Sequence, residues 1–171
     1  MKYANRQRYE IPFNWPKESF HIVLVEPQIP PNTGNIARLC AATGSKLHLI
    51  EPLGFDLSEK QLRRAGLDYW DHVKLTVHAS FHEYIHQFPD AQKYFFSTGG
   101  KIDHASIAYR SGDHLIFGNE PYGLSDEILK KYAHLCCNIP IQLNAVRSLN
   151  LANAVSIALY TALRSSCDID K

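Results

Sequence analysis

Long apolar runs are missing from this chain, and with them the ~20 consecutive residues that a membrane-spanning helix needs. The opening stretch MKYANRQRYEIPFNWP carries charge but lacks the apolar core of a secretory signal. A soluble cytoplasmic protein with no membrane partner is therefore expected. Cysteine is sparse: Cys40, Cys136, Cys137 and Cys167 form no CxxC pair, and no histidine stands at zinc-ligand spacing beside them. No metal site is expected, and the thiols read as small buried side chains. An excess of one charge is lacking too, since 18 Lys and Arg against 17 Asp and Glu leave a net charge of +1. That excludes a broadly basic nucleic-acid coat. Positive charge is local, at Lys2, Arg6 and Arg8 and at Lys60, Arg63 and Arg64. Such clusters suit a solvated face as well as an RNA contact. Repeats, low-complexity tracts and interior linkers are absent, and no G-x-G-x-x-G follows any apolar run, which excludes the dinucleotide fingerprint.

What remains is a chain of 171 residues, 45% hydrophobic, enough for one domain with a sizeable core. Residues 1–19 are polar and interrupted by Pro12 and Pro16, so they read as an N-terminal extension, with the domain running from 20 to 171. Strands are expected at 22–26, 46–51, 73–77, 114–117 and 135–141. Helices are expected at 35–43, from Ser58 (with Gln61 completing a capping box and Gly66 near the end), at 80–88, at 125–133 and at 148–164. Strands alternating with helices imply crossovers: an α/β fold with a mostly parallel sheet and helices on both faces.

Three turns share one character. Ser97-Thr98-Gly99-Gly100, Gly118-Asn119-Glu120-Pro121-Tyr122-Gly123, and Ile139-Pro140-Ile141 leading to Arg147-Ser148 each follow a short strand. Ligands collect at the carboxyl ends of strands in open α/β sheets, and glycine there admits close backbone approach. A ligand read by backbone groups from three loops suits an adenine and ribose. The final helix is apolar or small on almost every side, which calls for cover from another helix or a second subunit. A homodimer is the more economical cover.

The stretch IPPNTGNIARLC, residues 29–40, sits where α/β proteins often bind phosphate, yet has a single glycine. Together with LIFGNEPYGL (115–124), IPI followed by RSLNLANAVSIALY (139–160), and RRAGLDY (63–69), it resembles the SPOUT class of RNA methyltransferases. Within that class the chain is most similar to the small SpoU-like members that methylate the 2′-hydroxyl of the tRNA wobble nucleotide.

That resemblance implies S-adenosylmethionine as methyl donor, S-adenosylhomocysteine as product, tRNA as partner, a homodimer through the C-terminal helix, and an α/β-knot fold with a deep C-terminal trefoil knot. Carried over by position, Ser97, Thr98, Gly118, Ile139 and Ser148 would contact the cofactor, while Glu120, Gly123, Ile141 and Leu149 would shape its pocket. On the RNA side stand Asn35, Arg38, Arg147 and Tyr160, with Arg38 beside the reacting 2′-hydroxyl as the catalytic residue. Arginine is a poor base, with a pKa above ~12, and a good phosphate fork, so an anchoring role is expected for Arg38. The chain departs from the family pattern in its N-terminal extension, in one extra residue within 142–146, in Ala152 where serine is usual, and in Thr161 where glutamate is common. Methylation of another tRNA or rRNA site, and an RNA-binding protein without transfer activity, stay open as alternatives.

Overall fold

Among the described residues every strand pairing in the sheet is parallel. The computed structural model describes residues 11–56, 70–142 and 145–169. The expected helix from Ser58, the basic clusters and the RRAGLDY stretch lie outside the described residues. The seven strands are β1 (His21–Val25), β2 (Lys46–Ile50), β3 (Lys74–His78), β4 (Lys93–Phe96), β5 (Ile102–Asp103), β6 (His114–Phe117) and β7 (Cys136–Asn138), in the spatial order β3-β2-β1-β6-β4-β7-β5. Helices α1 (Pro30–Thr43), α2 (Phe81–Gln87), α3 (Asp126–Lys131) and α4 (Leu151–Ile169), with three short 3-10 turns, complete the described elements.

The central strands are buried on both faces, as continuous apolar runs in a parallel sheet require. Ile22, Leu24, Leu47, Leu49, Leu115 and Phe117 point to one face and pack with α1 and α4. Val23, Val25, Ile50, Phe95 and Ile116 point to the other and pack with α2 and α3. The free thiols of Cys40, Cys136 and Cys137 are buried in these layers. Burial pushes Cys40 and Cys137 up to about 12, so they are packing groups and not nucleophiles.

Several boundaries differ from expectation. Helix α1 begins at Pro30, not Asn35, because Pro30 and Pro31 occupy its first two positions, where the missing N–H groups have no partner to lose. Gly44, left-handed at φ 71°, ends it. Strand β7 stops at Asn138, ahead of Pro140, which has no N–H to give a ladder. Helix α4 begins at Leu151, not Ser148, because Asn150 caps it: Oδ1 accepts from Ala152 N (2.9 Å) and Asn153 N (3.3 Å). The two-residue β5 was not expected. In the N-terminal segment, Phe13 packs against the α1–α4 core layer, and the Arg164 guanidinium sits over its ring at 5.1 Å.

The final helix is not apolar-facing all round. Val155, Ala158, Leu159, Ala162 and Leu163 are buried within the chain, where α4 packs on α1. Small residues at 158 and 162 serve that internal contact, not a second copy. The exposed stripe is Asn153, Ile157, Tyr160 and Arg164, at the i, i+4, i+7, i+11 spacing of one helix face.

Candidate functional site

The carboxyl ends of β4, β6 and β7 open onto one cavity of about 480 Å³, closed by the segment entering α4 and by the first turn of α1. Ser97 and Thr98 come from the β4 turn, Gly118, Glu120 and Gly123 from the β6 loop, Ile139 and Ile141 from the β7 exit, and Ser148 and Leu149 from the approach to α4. All of the cofactor-side residues expected from sequence thus share one cavity, and Arg147 joins them.

The turns are tied to one another. Ser97 N donates to Cys137 O (3.0 Å), and Asn138 Nδ2 donates to Thr98 O (3.0 Å), locking the β4 turn against β7. The β6 loop folds back on itself: Gly123 N donates to Asn119 O (2.9 Å), and Asn119 Oδ1 accepts from Tyr122 N (2.8 Å). A Cβ on Gly118 would fall 2.0 Å from the Gly123 carbonyl carbon, and Gly123 itself stands at φ +74°. Both positions need glycine, one for space and the other for conformation.

Glu120 lines the cavity and also reaches α1. Its carboxylate accepts from Gln28 N (2.9 Å), Ile29 N (3.2 Å) and Asn32 Nδ2 (3.0 Å). It lines the cavity, yet both oxygens are engaged by the start of α1, where a negative charge also meets the positive end of the helix dipole. Asn32 Oδ1 in turn accepts from Asn150 Nδ2 (2.9 Å). A continuous chain Glu120–Asn32–Asn150 therefore joins the β6 loop, α1 and α4. Sequence reasoning missed Asn32 and Asn150. Asn before an apolar helical run is an N-cap signature, and that signal could have identified Asn150.

The RNA-side residues are divided. Arg147 and Ser148 lie exposed at the cavity mouth. Asn35 and Arg38 share the exposed face of α1 and do not line the cavity of their own chain, and Tyr160 is 47% exposed on the outer stripe of α4. Within one chain the expected catalytic arginine and the expected cofactor pocket are not brought together.

The SpoU rRNA Methylase family matches residues 19–160. A tRNA (cytidine(34)-2′-O)-methyltransferase of Saccharophagus degradans is 48% identical over 146 residues, which cover 85% of this chain and 94% of that protein. A structure solved for insight into the 2-OH methylation of C/U34 on tRNA superposes with a TM-score of 0.80 at 46% identity, covering 86% of this chain and 96% of that one. An AdoMet-bound rRNA methyltransferase from Sinorhizobium meliloti superposes with a TM-score of 0.73 at 27% identity, over 87% of this chain and 57% of that one.

Proposed function

This chain belongs to the SpoU rRNA Methylase family, and we propose that it transfers a methyl group from S-adenosylmethionine to the ribose 2′-hydroxyl of the wobble nucleotide of tRNA, a cytidine or uridine at position 34. Relatives that carry this activity in their names support the tRNA substrate, and a cytoplasmic setting is part of the same reading. The observation that carries the reading is the convergence of three strand-end turns and the Ser148 segment on one cavity.

The residues present fit the methyl donor. Apolar Phe117, Leu124, Ile139 and Leu149 offer faces to a purine, and the hydroxyls of Ser97, Thr98 and Ser148 offer partners to ribose and amino-acid groups. The bound donor supplies an electrophilic methyl on a sulfonium. The chain's own part is to hold the ribose oxygen in line and to assist loss of its proton. Arg38 does this as an anchor: its planar fork binds the adjoining phosphate and the 2′-oxygen, and that phosphate assists proton removal. Asn35, Arg147 and Tyr160 complete the RNA side.

Because Arg38 does not line its own cavity, a second copy is part of the proposal. Ile157 (41% exposed) on the outer face of α4 forms the centre of the contact, with Tyr160 at its edge facing the RNA, and Arg38 of one copy serves the cavity of the other. The trefoil knot belongs to the same reading. Mass spectrometry of nucleosides from unmodified tRNA incubated with the protein and S-adenosylmethionine tests the function: 2′-O-methylcytidine or 2′-O-methyluridine is expected, and an unmethylated digest would overturn it.

A further inference from the structure

Behind the β6 loop lies a second cavity of about 630 Å³, which shares only residues 119 and 122–124 with the first. Its other walls are the end of β1, helix α2 and the start of α3. Of the site residues expected from sequence, Gly123 alone touches it.

Three features define what it takes. First, Tyr122 stands between the two cavities and is 89% exposed, yet its backbone is fixed by the Asn119 bonds on either side. A bare aromatic ring on a fixed loop is a stacking platform, not a packing group. Second, the walls are aromatic, with Phe81 and Tyr132 facing the same space. Third, the charge balance is negative: Glu26, Asp126 and Glu127 stand against one ammonium, Lys131. The remaining basic groups, His82 and His86, are hydrogen-bonded Nε2 to Nε2 at 3.0 Å. That bond needs one N–H and one lone pair, so the pair holds at most one positive charge. A phosphate would be repelled here. An uncharged base stacks on the aromatic faces, and its exocyclic amine finds carboxylate acceptors.

We propose that this second cavity is a nucleobase subsite, taking an unpaired base next to the nucleotide being methylated, stacked on Tyr122, with adenine, cytosine or guanine favoured over uracil. The inference rests on the RNA substrate proposed above. The shared loop explains the coupling: a base seated behind residues 119–124 fixes the neighbouring ribose in front of them.

The test uses the full chain and a tRNA anticodon stem-loop carrying 2-aminopurine on one or the other side of the target nucleotide. With S-adenosylhomocysteine present, fluorescence at one of the two positions should be quenched by the wild type and by Tyr122→Phe, and not by Tyr122→Leu. The Leu variant should raise KM for the RNA by about 5- to 150-fold, the range one base stack accounts for, while S-adenosylhomocysteine affinity, read by calorimetry, changes by much less because Tyr122 is only one of many residues on the first cavity wall. The exposure of Tyr122 keeps these substitutions clear of the core. Wild-type turnover with neither probe quenched, or a Leu variant with unchanged KM, overturns the subsite and leaves the function standing. An RNA that the wild type neither binds nor methylates overturns both.

Discussion

Asn150 donates its side-chain amide to Asn32 Oδ1 across 2.9 Å, joining the first residue before α4 to the first turn of α1. The same Asn150 caps α4 through its own oxygen, and Asn32 hands the connection on to Glu120. The pair therefore sets the cofactor cavity and the helix bearing Arg38 in one frame.

Replacing Asn150 by alanine removes the cap and leaves Asn32 Oδ1 without its donor. The expected loss is about 1–2 kcal/mol of stability, read by denaturant unfolding, together with slower methyl transfer. Asn150→Asp keeps an acceptor for the cap and loses the donor to Asn32. Its stability should recover toward wild type while the transfer rate stays low. Full recovery of both would assign Asn150 to capping alone.

A row of buried imidazoles makes the fold acid-sensitive. Lys46 Nζ lies 3.2 Å from His21 Nε2, His21 Nδ1 lies 2.9 Å from His48 Nε2, and His48 Nδ1 lies 2.9 Å from His78 Nε2. One consistent set of neutral tautomers runs through them: His21 and His48 donate from Nδ1, and all three rings accept at Nε2. His114 stacks on His21 at 3.9 Å and hydrogen-bonds Tyr84. Phe88, the residue that ends α2, covers the row. Burial, helped by Lys46 and by the neighbouring rings, lowers His21 from 6.5 to about 4, His48 to about 3 and His114 to about 2. His78 is also lowered by burial, against an opposing pull from Glu83.

Well above pH 6.5, from about pH 7.5, these rings are neutral folded or unfolded, so stability there does not depend on them. As pH falls from 6.5 toward 4, the unfolded chain takes up protons that the folded chain refuses, and stability falls. Asp113 acts in the opposite sense, because burial raises it from 3.8 to about 6 and so offsets about one histidine. Unfolding near pH 5 should take up roughly two to three protons net, measured as the slope of unfolding free energy against pH. His48→Gln should reduce that slope by about one proton. A flat profile between pH 7 and 5 would contradict this reading.

Much of the fold could be read in the residues. The buried strands β1, β2 and β6 follow from continuous apolar runs, and Ser80 and Ser125 cap α2 and α3 as their sequences suggest. The start of α1 lies five residues ahead of the expected Asn35, because the first helical turn tolerates Pro30 and Pro31. The imidazole row was invisible because it depends on register: His21 pairs with His114 on β6 and with Lys46 on β2, which no local pattern encodes. The cavity-lining turns were legible as glycine-bearing strand ends, while the individual residues within them came from the family motifs. Sequence could not place Arg38 relative to the cavity, because that depends on how α1 packs. The proposed trefoil knot has no signature in the residue pattern at all.

Arg38→Ala should lower methyl transfer by about 100- to 1,000-fold, the scale of losing one oriented donor at a reacting oxygen. Cofactor affinity should stay within a few fold, because Arg38 lies outside the cavity lining. Arg38→Lys should also fail, since one ammonium cannot form the planar fork. Near wild-type turnover by either variant would remove Arg38 from the chemistry.

The second copy is tested on the outer stripe of α4, because Ala158 is buried in its own chain and a charge there would unfold the core. Ile157→Glu places the charge at the proposed contact. It should give a folded monomer by light scattering and circular dichroism, with transfer activity lost. Mixing an Arg38→Ala copy with an Ile139→Arg copy, whose cavity is blocked, should restore activity through mixed dimers. An active monomer, or no rescue on mixing, would contradict a shared site.

The most direct measurement compares two tRNA transcripts that differ by one oxygen, a ribose or a 2′-deoxyribose at position 34. With S-adenosylmethionine carrying a labelled methyl group, the ribose transcript should accept label and the deoxy transcript should accept none. Equal labelling of the two would contradict methylation of the wobble 2′-hydroxyl.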